Sequence, residues 1–108
     1  MGEQNTALGW EALKSNTTAY YNTAIGTQAL SANTTGSSNI ALGSRALQSN
    51  TTGSGNTATG YHSLQSNTTG TRNIAIGRSA LDVSDDESDN LAIGYAALGG
   101  SIDGGEYR

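Results

Sequence analysis

The sequence has no cysteine, no proline and no phenylalanine, and aromatic residues make up only 6% of its 108 residues. Without cysteine the chain cannot form a disulfide scaffold, a thiolate zinc site or a cysteine nucleophile. No apolar run approaches the roughly 18 residues that a membrane-spanning helix needs. Polar residues follow Met1 directly, so no secretory signal is predicted. Abundant Gly, Ser, Thr and Asn are by themselves typical of a disordered linker.

A period of 17 residues contradicts that first interpretation. All ten Asn occur at two positions of the repeat, the first and the twelfth, and positions 3, 5 and 9 are Ala, Gly and Leu in every unit. Such repetition indicates that each unit occupies the same environment. The six units begin at Asn5, Asn22, Asn39, Asn56, Asn73 and Asn90. We therefore expect an N-terminal end over 1–4, repeats over 5–98 and a degenerate last turn or cap over 99–108.

The pattern within a unit predicts a coil of β-structure. Gly at position 5 and Asn-Thr-Thr-Gly at positions 12–15 would interrupt a helix. Positions 1–5 alternate, with Thr, Ile or Leu at positions 2 and 4 and Ala or Gly opposite, which is typical of a strand. A second extended piece is expected around the Leu at position 9, with a turn at positions 12–15. The prediction is an all-β, parallel β-solenoid of six 17-residue coils, stacked to roughly 29 Å at about 4.8 Å per coil.

The predicted core is small for a chain of this length. Positions 2, 4 and 9 together supply only fourteen bulky aliphatic residues, which is little for a monomer. The Ala and Gly face would let another backbone come close, so we expect coils from separate chains to pack together. Which strand face meets the neighbouring chain is left open. The Asn at position 1 would lie one above another and could form an amide ladder.

The unit Asn-Thr-Ala-Ile-Gly-x-x-Ala-Leu, as in residues 22–30, resembles the head repeats of trimeric autotransporter adhesins. With its Asn-Thr-Thr-Gly spacer it also resembles repeats of phage tail-fibre and related surface proteins. The resemblance covers residues 5–98, although the units are longer than those of the adhesin heads. It implies a left-handed β-roll, a homotrimer, and a non-enzymatic fibre at a virion tail or a bacterial cell surface that supports attachment to a host.

The fifth unit replaces the spacer with a cluster of acidic residues. Five of the nine acidic residues lie within residues 82–89, and the rest of the chain has a formal charge of +1. Dense oxygen ligands could bind calcium, whereas the alternative is a solvated loop that deters aggregation. No other cofactor is predicted. The candidate metal ligands are Asp82, Asp85, Asp86, Glu87 and Asp89.

Aromatic residues recur at position 6. Trp10, Tyr61 and Tyr95 could stack on sugar rings and contact a glycan, or they could fill gaps between chains. His62, the only histidine, stands at a variable position that we expect to be exposed. The Asn-Thr-Thr sequences match a glycosylation acceptor, but a turn explains them better.

No catalytic grouping or phosphate-binding loop is present, so no enzyme is predicted. Five dispersed basic residues do not make a nucleic-acid surface, and membrane insertion is not expected. The predicted partner is the chain itself, in a homotrimer, with a host glycan or protein as a second partner. The alternative is a monomeric solenoid that binds glycan, mineral or ice. Solution mass distinguishes these two hypotheses.

Overall fold

The computed structural model of the chain describes residues 3–83 and 85–99. These residues contain one three-residue strand per coil and no helix, so none of them forms a helix that could span a membrane. The strands form a single parallel sheet in chain order. Their bounds are β1 (Thr6–Leu8), β2 (Thr23–Ile25), β3 (Ile40–Leu42), β4 (Thr57–Thr59), β5 (Ile74–Ile76) and β6 (Leu91–Ile93).

The strand register follows the sequence period. Thr6 pairs with Thr23 and Ala7 with Ala24, 17 residues later, and the same offset holds for every neighbouring pair of strands. The prediction of a parallel β-solenoid is therefore confirmed, with six strands and about five turns. Its principal extents are 34 × 21 × 15 Å. The strands occupy positions 2–4 of each unit, within the five residues that the alternation predicted.

The second extended piece predicted around position 9 is wrong. Positions 6–11 form turns, and in every coil the residues at positions 7 and 9 have positive φ, as in Gln28 (58°) and Leu30 (51°). Left-handed conformations cost about 1–2 kcal/mol per non-glycine residue. They persist because the coil must reverse within a few residues and because the Leu is held in place. Leu30 is fully buried, and its N–H donates to the carbonyl of Ala46.

The interior of the coil is lined by small residues and by one Leu per turn. Ala41 and Ala46, at positions 3 and 8, are fully buried, and Leu47 at position 9 packs against them. The glycines at position 5 bring successive coils close together: a Cβ on Gly43, whose φ is +135°, would lie 2.8 Å from the carbonyl carbon of Gly60. The Ala at position 3 therefore packs inside its own coil, and the Gly at position 5 packs against the Gly of the next coil.

The bulky residues at positions 2 and 4 point outward. The sequence had predicted that they belong to the core. Ile25 and Ile93 are 39% and 65% exposed. The reason is geometric, since the narrow interior has room for Leu from one wall only when the facing wall carries Ala. The core within one chain is thus even smaller than the sequence predicted.

Buried asparagines connect the coils in two columns. At position 1, the Oδ1 of Asn22 accepts from the N–H of Asn39, while its Nδ2 donates across the coil to the carbonyl of Gly36. At position 12 the amides bond to each other, as in Asn50 Nδ2 to Asn33 Oδ1 at 2.8 Å. An amide ladder was expected at position 1, but the more continuous one runs along position 12. Burial of these side chains agrees with a turn role rather than with glycosylation.

Within residues 5–98, where the repeats were expected, the last strand ends at Ile93 and the last turn ends at Leu98. Of the predicted N-terminal end, only Glu3 and Gln4 are described, and the predicted cap lies outside the described residues beyond Gly99.

Candidate interaction surfaces

The outer face of the six-stranded sheet is a flat surface made of two columns of side chains. Position 4 carries an aliphatic residue in five coils and Thr59 in the remaining one, and position 2 carries Thr in three coils and Ile or Leu in the others. Leu8, Ile40, Ile74, Ile76 and Leu91 are all exposed on it. We call this surface the outer sheet face. No charged residue occupies either column.

The exposure of this face is unusual for a parallel sheet. Parallel sheets occur almost only where both of their faces are covered. Here the inner face is covered by the Leu wall of the same coil, whereas nothing in the described part of the chain covers the outer one. An extended apolar patch of this kind typically marks a protein interaction site.

Beside the outer sheet face runs the position-6 column that contains the candidate glycan-contacting residues. Trp10, Tyr61 and Tyr95 are 66%, 43% and 78% exposed. They lie in coils 1, 4 and 6, so their separations along the stack are about 14 and 10 Å at about 4.8 Å per coil. All three aromatic side chains are exposed, and they follow the position-5 Gly at the end of the strand.

Tyr61 is the most confined of the three rings. It stacks on His62 with ring centroids 3.8 Å apart and an interplanar angle of 18°, and the guanidinium carbon of Arg78 lies 5.4 Å from its centroid. His62 is half-buried, not exposed as expected, and its Nε2 has no hydrogen-bond partner among the described residues. Burial is the largest effect that lowers the pKa of His62, followed by the charge of Arg45. The imidazole is therefore a packing group for the Tyr61 ring.

The acidic candidates separate into three environments. Ligand oxygens of Asp85, Asp86 and Glu87 lie within 4.8 Å of one another at the corner of the fifth coil. Asp89 instead forms a two-pronged ion pair with the guanidinium of Arg72 on the previous coil, with N–O distances of 2.6 and 2.8 Å. Asp82 is partly buried and does not belong to the three-residue group. Three of the five predicted ligands could therefore contact one ion.

The pKa values of Asp86 and Asp89 shift in opposite directions. Repulsion from Asp85, and then from Glu87, raises the pKa of Asp86 above its ordinary value. Hydrogen bonding to Arg72 lowers the pKa of Asp89. The corner of the fifth coil thus combines a repulsive cluster with a stabilised ion pair.

The sequence did not predict that the outer sheet face is an exposed surface. Its signal was present in the alternation of positions 2 and 4, but bulky aliphatic residues were assigned to the core by default. The strict Ala and Gly at positions 3 and 5 carried the opposite information, because only small residues fit a coil this narrow.

These features define a parallel β-solenoid repeat protein with short, single-strand coils. No protein-family model, curated protein or solved structure matches the chain.

Proposed function

We propose that this chain is a segment of a non-enzymatic, homotrimeric fibre, at a phage tail or on a bacterial surface, that supports attachment to a host or surface. The observation that carries the proposal is the uncharged, aliphatic and exposed outer sheet face. The resemblance of the repeat to adhesin-head and tail-fibre units adds the biological setting. A second copy of the same face suits this surface because it offers aliphatic contacts at the same 17-residue period.

The outer sheet face alone is smaller than a stable interface between chains. Six coils of about 4.8 Å and three residues of about 3.3 Å give a footprint of about 290 Å². A stable interface buries about 800 Å² on each partner. We therefore expect the flanking columns, including the aromatic residues at position 6, to join the contact between chains.

The alternative is a monomeric solenoid whose surface binds glycan, mineral or ice. The specific observation in its favour is the exposure of Trp10, Tyr61 and Tyr95 in one column, since aromatic faces suit sugar rings. The two proposals compete for this column. In the trimer the rings pack between chains, whereas in the monomer they remain free for a ligand.

Sedimentation equilibrium tests the proposal directly. We expect a mass of about three times the 11.0 kDa of one chain. Ile76→Asp places a charge on the outer sheet face and should yield a monomer that keeps the β-structure signal in circular dichroism. Thr35→Asp is the matched control, because position 14 is exposed and is Asp86 in the fifth coil. A monomeric wild type, or a trimer unaffected by Ile76→Asp, would contradict the proposal.

A further inference from the structure

The outer sheet face has one polar level in its position-4 column. Thr59 pairs in register with Leu42 on the previous strand and with Ile76 on the next. All other residues of this column are Leu or Ile. Thr57, at position 2 of the same strand, makes this coil the only one without an outward aliphatic residue on its strand.

The Thr59 hydroxyl has no hydrogen-bond partner within the described residues. The threonines at position 13 differ: the hydroxyls of Thr34 and Thr51 each donate to the carbonyl of the residue 17 positions later. Thr59 points away from its own chain on the strand face. Its donor and its acceptors therefore remain for water or for another molecule.

Repeat chains that associate through aliphatic columns can align in more than one register. Shifting one chain by a single coil, about 4.8 Å, again sets Leu and Ile against Leu and Ile. Hydrophobic contacts are non-directional and discriminate poorly between the aligned and the shifted arrangement. A shifted chain loses the contacts of one coil at each end, and a residue that breaks the repeat on the contacting surface adds a further preference for the aligned register.

We propose that Thr59 determines the register in which the chains of the homotrimer align. When the chains are level, the three Thr59 hydroxyls lie at one height and can donate to and accept from one another. When a chain shifts by one coil, its hydroxyl faces Leu42 or Ile76 of a neighbour and loses its partner, which is unfavourable for a buried polar group. A single polar residue selects register in coiled coils by the same principle.

The position-2 column distinguishes the aligned register from shifted registers less well. It carries Thr6, Thr23 and Thr57 among Ile and Leu, so a one-coil shift can bring one Thr opposite another. Thr59 is alone in its column, and every shift separates it from its equivalents. This inference rests on the homotrimer proposed above.

Amide NMR spectra of the full chain test the register. A level trimer has three-fold symmetry and gives one resonance per residue, whereas a shifted trimer gives several. We expect one set for the wild type and for Thr59→Ser, which keeps the hydroxyl. Thr59→Val keeps the shape of the side chain but removes the hydroxyl. It should give additional resonances of at least about one tenth of the total intensity, because the aligned register then loses the advantage of about one hydrogen bond over the shifted register. Thr23→Val is the matched control and should give one set.

The outcomes separate the two proposals. A monomeric mass for the wild type overturns the homotrimer itself. A trimeric Thr59→Val with one set of resonances overturns the role of Thr59 and leaves the homotrimer intact. Extra resonances in the wild type, in Thr59→Ser or equally in Thr23→Val also overturn the role of Thr59.

Discussion

The inner and outer walls of the solenoid follow different rules. The inner wall repeats the same residues in nearly every coil: Asn at position 1, Ala at position 3, Gly at position 5 and Leu at position 9. The outer wall varies from coil to coil at positions 2, 6, 7 and 14. The narrow interior therefore dictates the repeat, whereas the outer residues are available for assembly and recognition.

The largest difference between the walls is expected at glycine. Gly43 faces the next coil, where a Cβ would lie 2.8 Å from backbone atoms, whereas the nearest neighbours to a Cβ on Gly55 are 3.8 Å away. Gly43→Ala combines this overlap with an unfavourable φ and should lower the free energy of unfolding by about 4 kcal/mol. Gly55→Ala suffers only its positive φ and should cost about 1 kcal/mol. Urea denaturation of both variants measures the two losses. Equal losses would show that steric contact between coils does not govern the inner wall.

A smaller contrast is expected between polar residues of the two walls. Asn50 is fully buried; its Nδ2 donates to Asn33 and to the carbonyl of Gly53, and its Oδ1 accepts from Asn67. Asn50→Ala leaves these groups unsatisfied and should cost about 3 kcal/mol. Thr52→Ala, at an exposed position of the same corner, should cost less than about 0.5 kcal/mol. Thermal or urea unfolding compares them, and a near-neutral Asn50→Ala would contradict a structural role for the ladder.

The sequence predicted the repeat, the strand position and the register, because Asn, Ala and Gly at constant spacing leave few alternatives. It did not predict which strand face is internal, since Ile25 and Ala24 alternate equally well in either orientation. It also could not show that Leu30 adopts a left-handed conformation, because bulky residues rarely do so. Composition showed that the acidic residues cluster in the fifth unit, but it could not show that Asp85, Asp86 and Glu87 form one group while Asp89 pairs with Arg72 of the adjacent coil.

Two acidic residues on the outer wall of the fifth coil should affect stability in opposite ways as the pH changes. The raised pKa of Asp86 means that its charge destabilises the fold above that pKa, and that this cost disappears as the pH falls through it. The lowered pKa of Asp89 means the reverse: its stabilisation is present above the ordinary pKa and is lost as the pH falls through the lowered one. At pH 7, Asp86→Asn should raise the melting temperature slightly and Asp89→Asn should lower it.

Melting curves of these two variants between pH 7 and pH 2 provide the measurement. Both differences from the wild type should shrink towards acid, the one for Asp86→Asn at the higher pH. A decrease in melting temperature for Asp86→Asn at pH 7 would contradict the repulsion inferred for the cluster.

The smallest expected effect is that of calcium. Asp85, Asp86 and Glu87 could share one ion, but three carboxylates supply only part of the about six to eight oxygen ligands that calcium takes. Millimolar calcium should raise the melting temperature of the wild type by at most about 2 °C, and magnesium serves as the matched ion. A large rise that Asp86→Asn abolishes would instead establish a specific calcium site.

The regular spacing of the coils has a consequence for how the solenoid is made. Hydrogen bonds between neighbouring coils join residues 12 to 20 positions apart, most of them close to the 17-residue period, wherever they occur along the chain. Each new coil can therefore dock on the one synthesised just before it, and the loop that must close stays the same length in a chain of any size. Duplication of a 51-base segment of the coding sequence would lengthen the solenoid by one coil, about 4.8 Å, without slowing its folding.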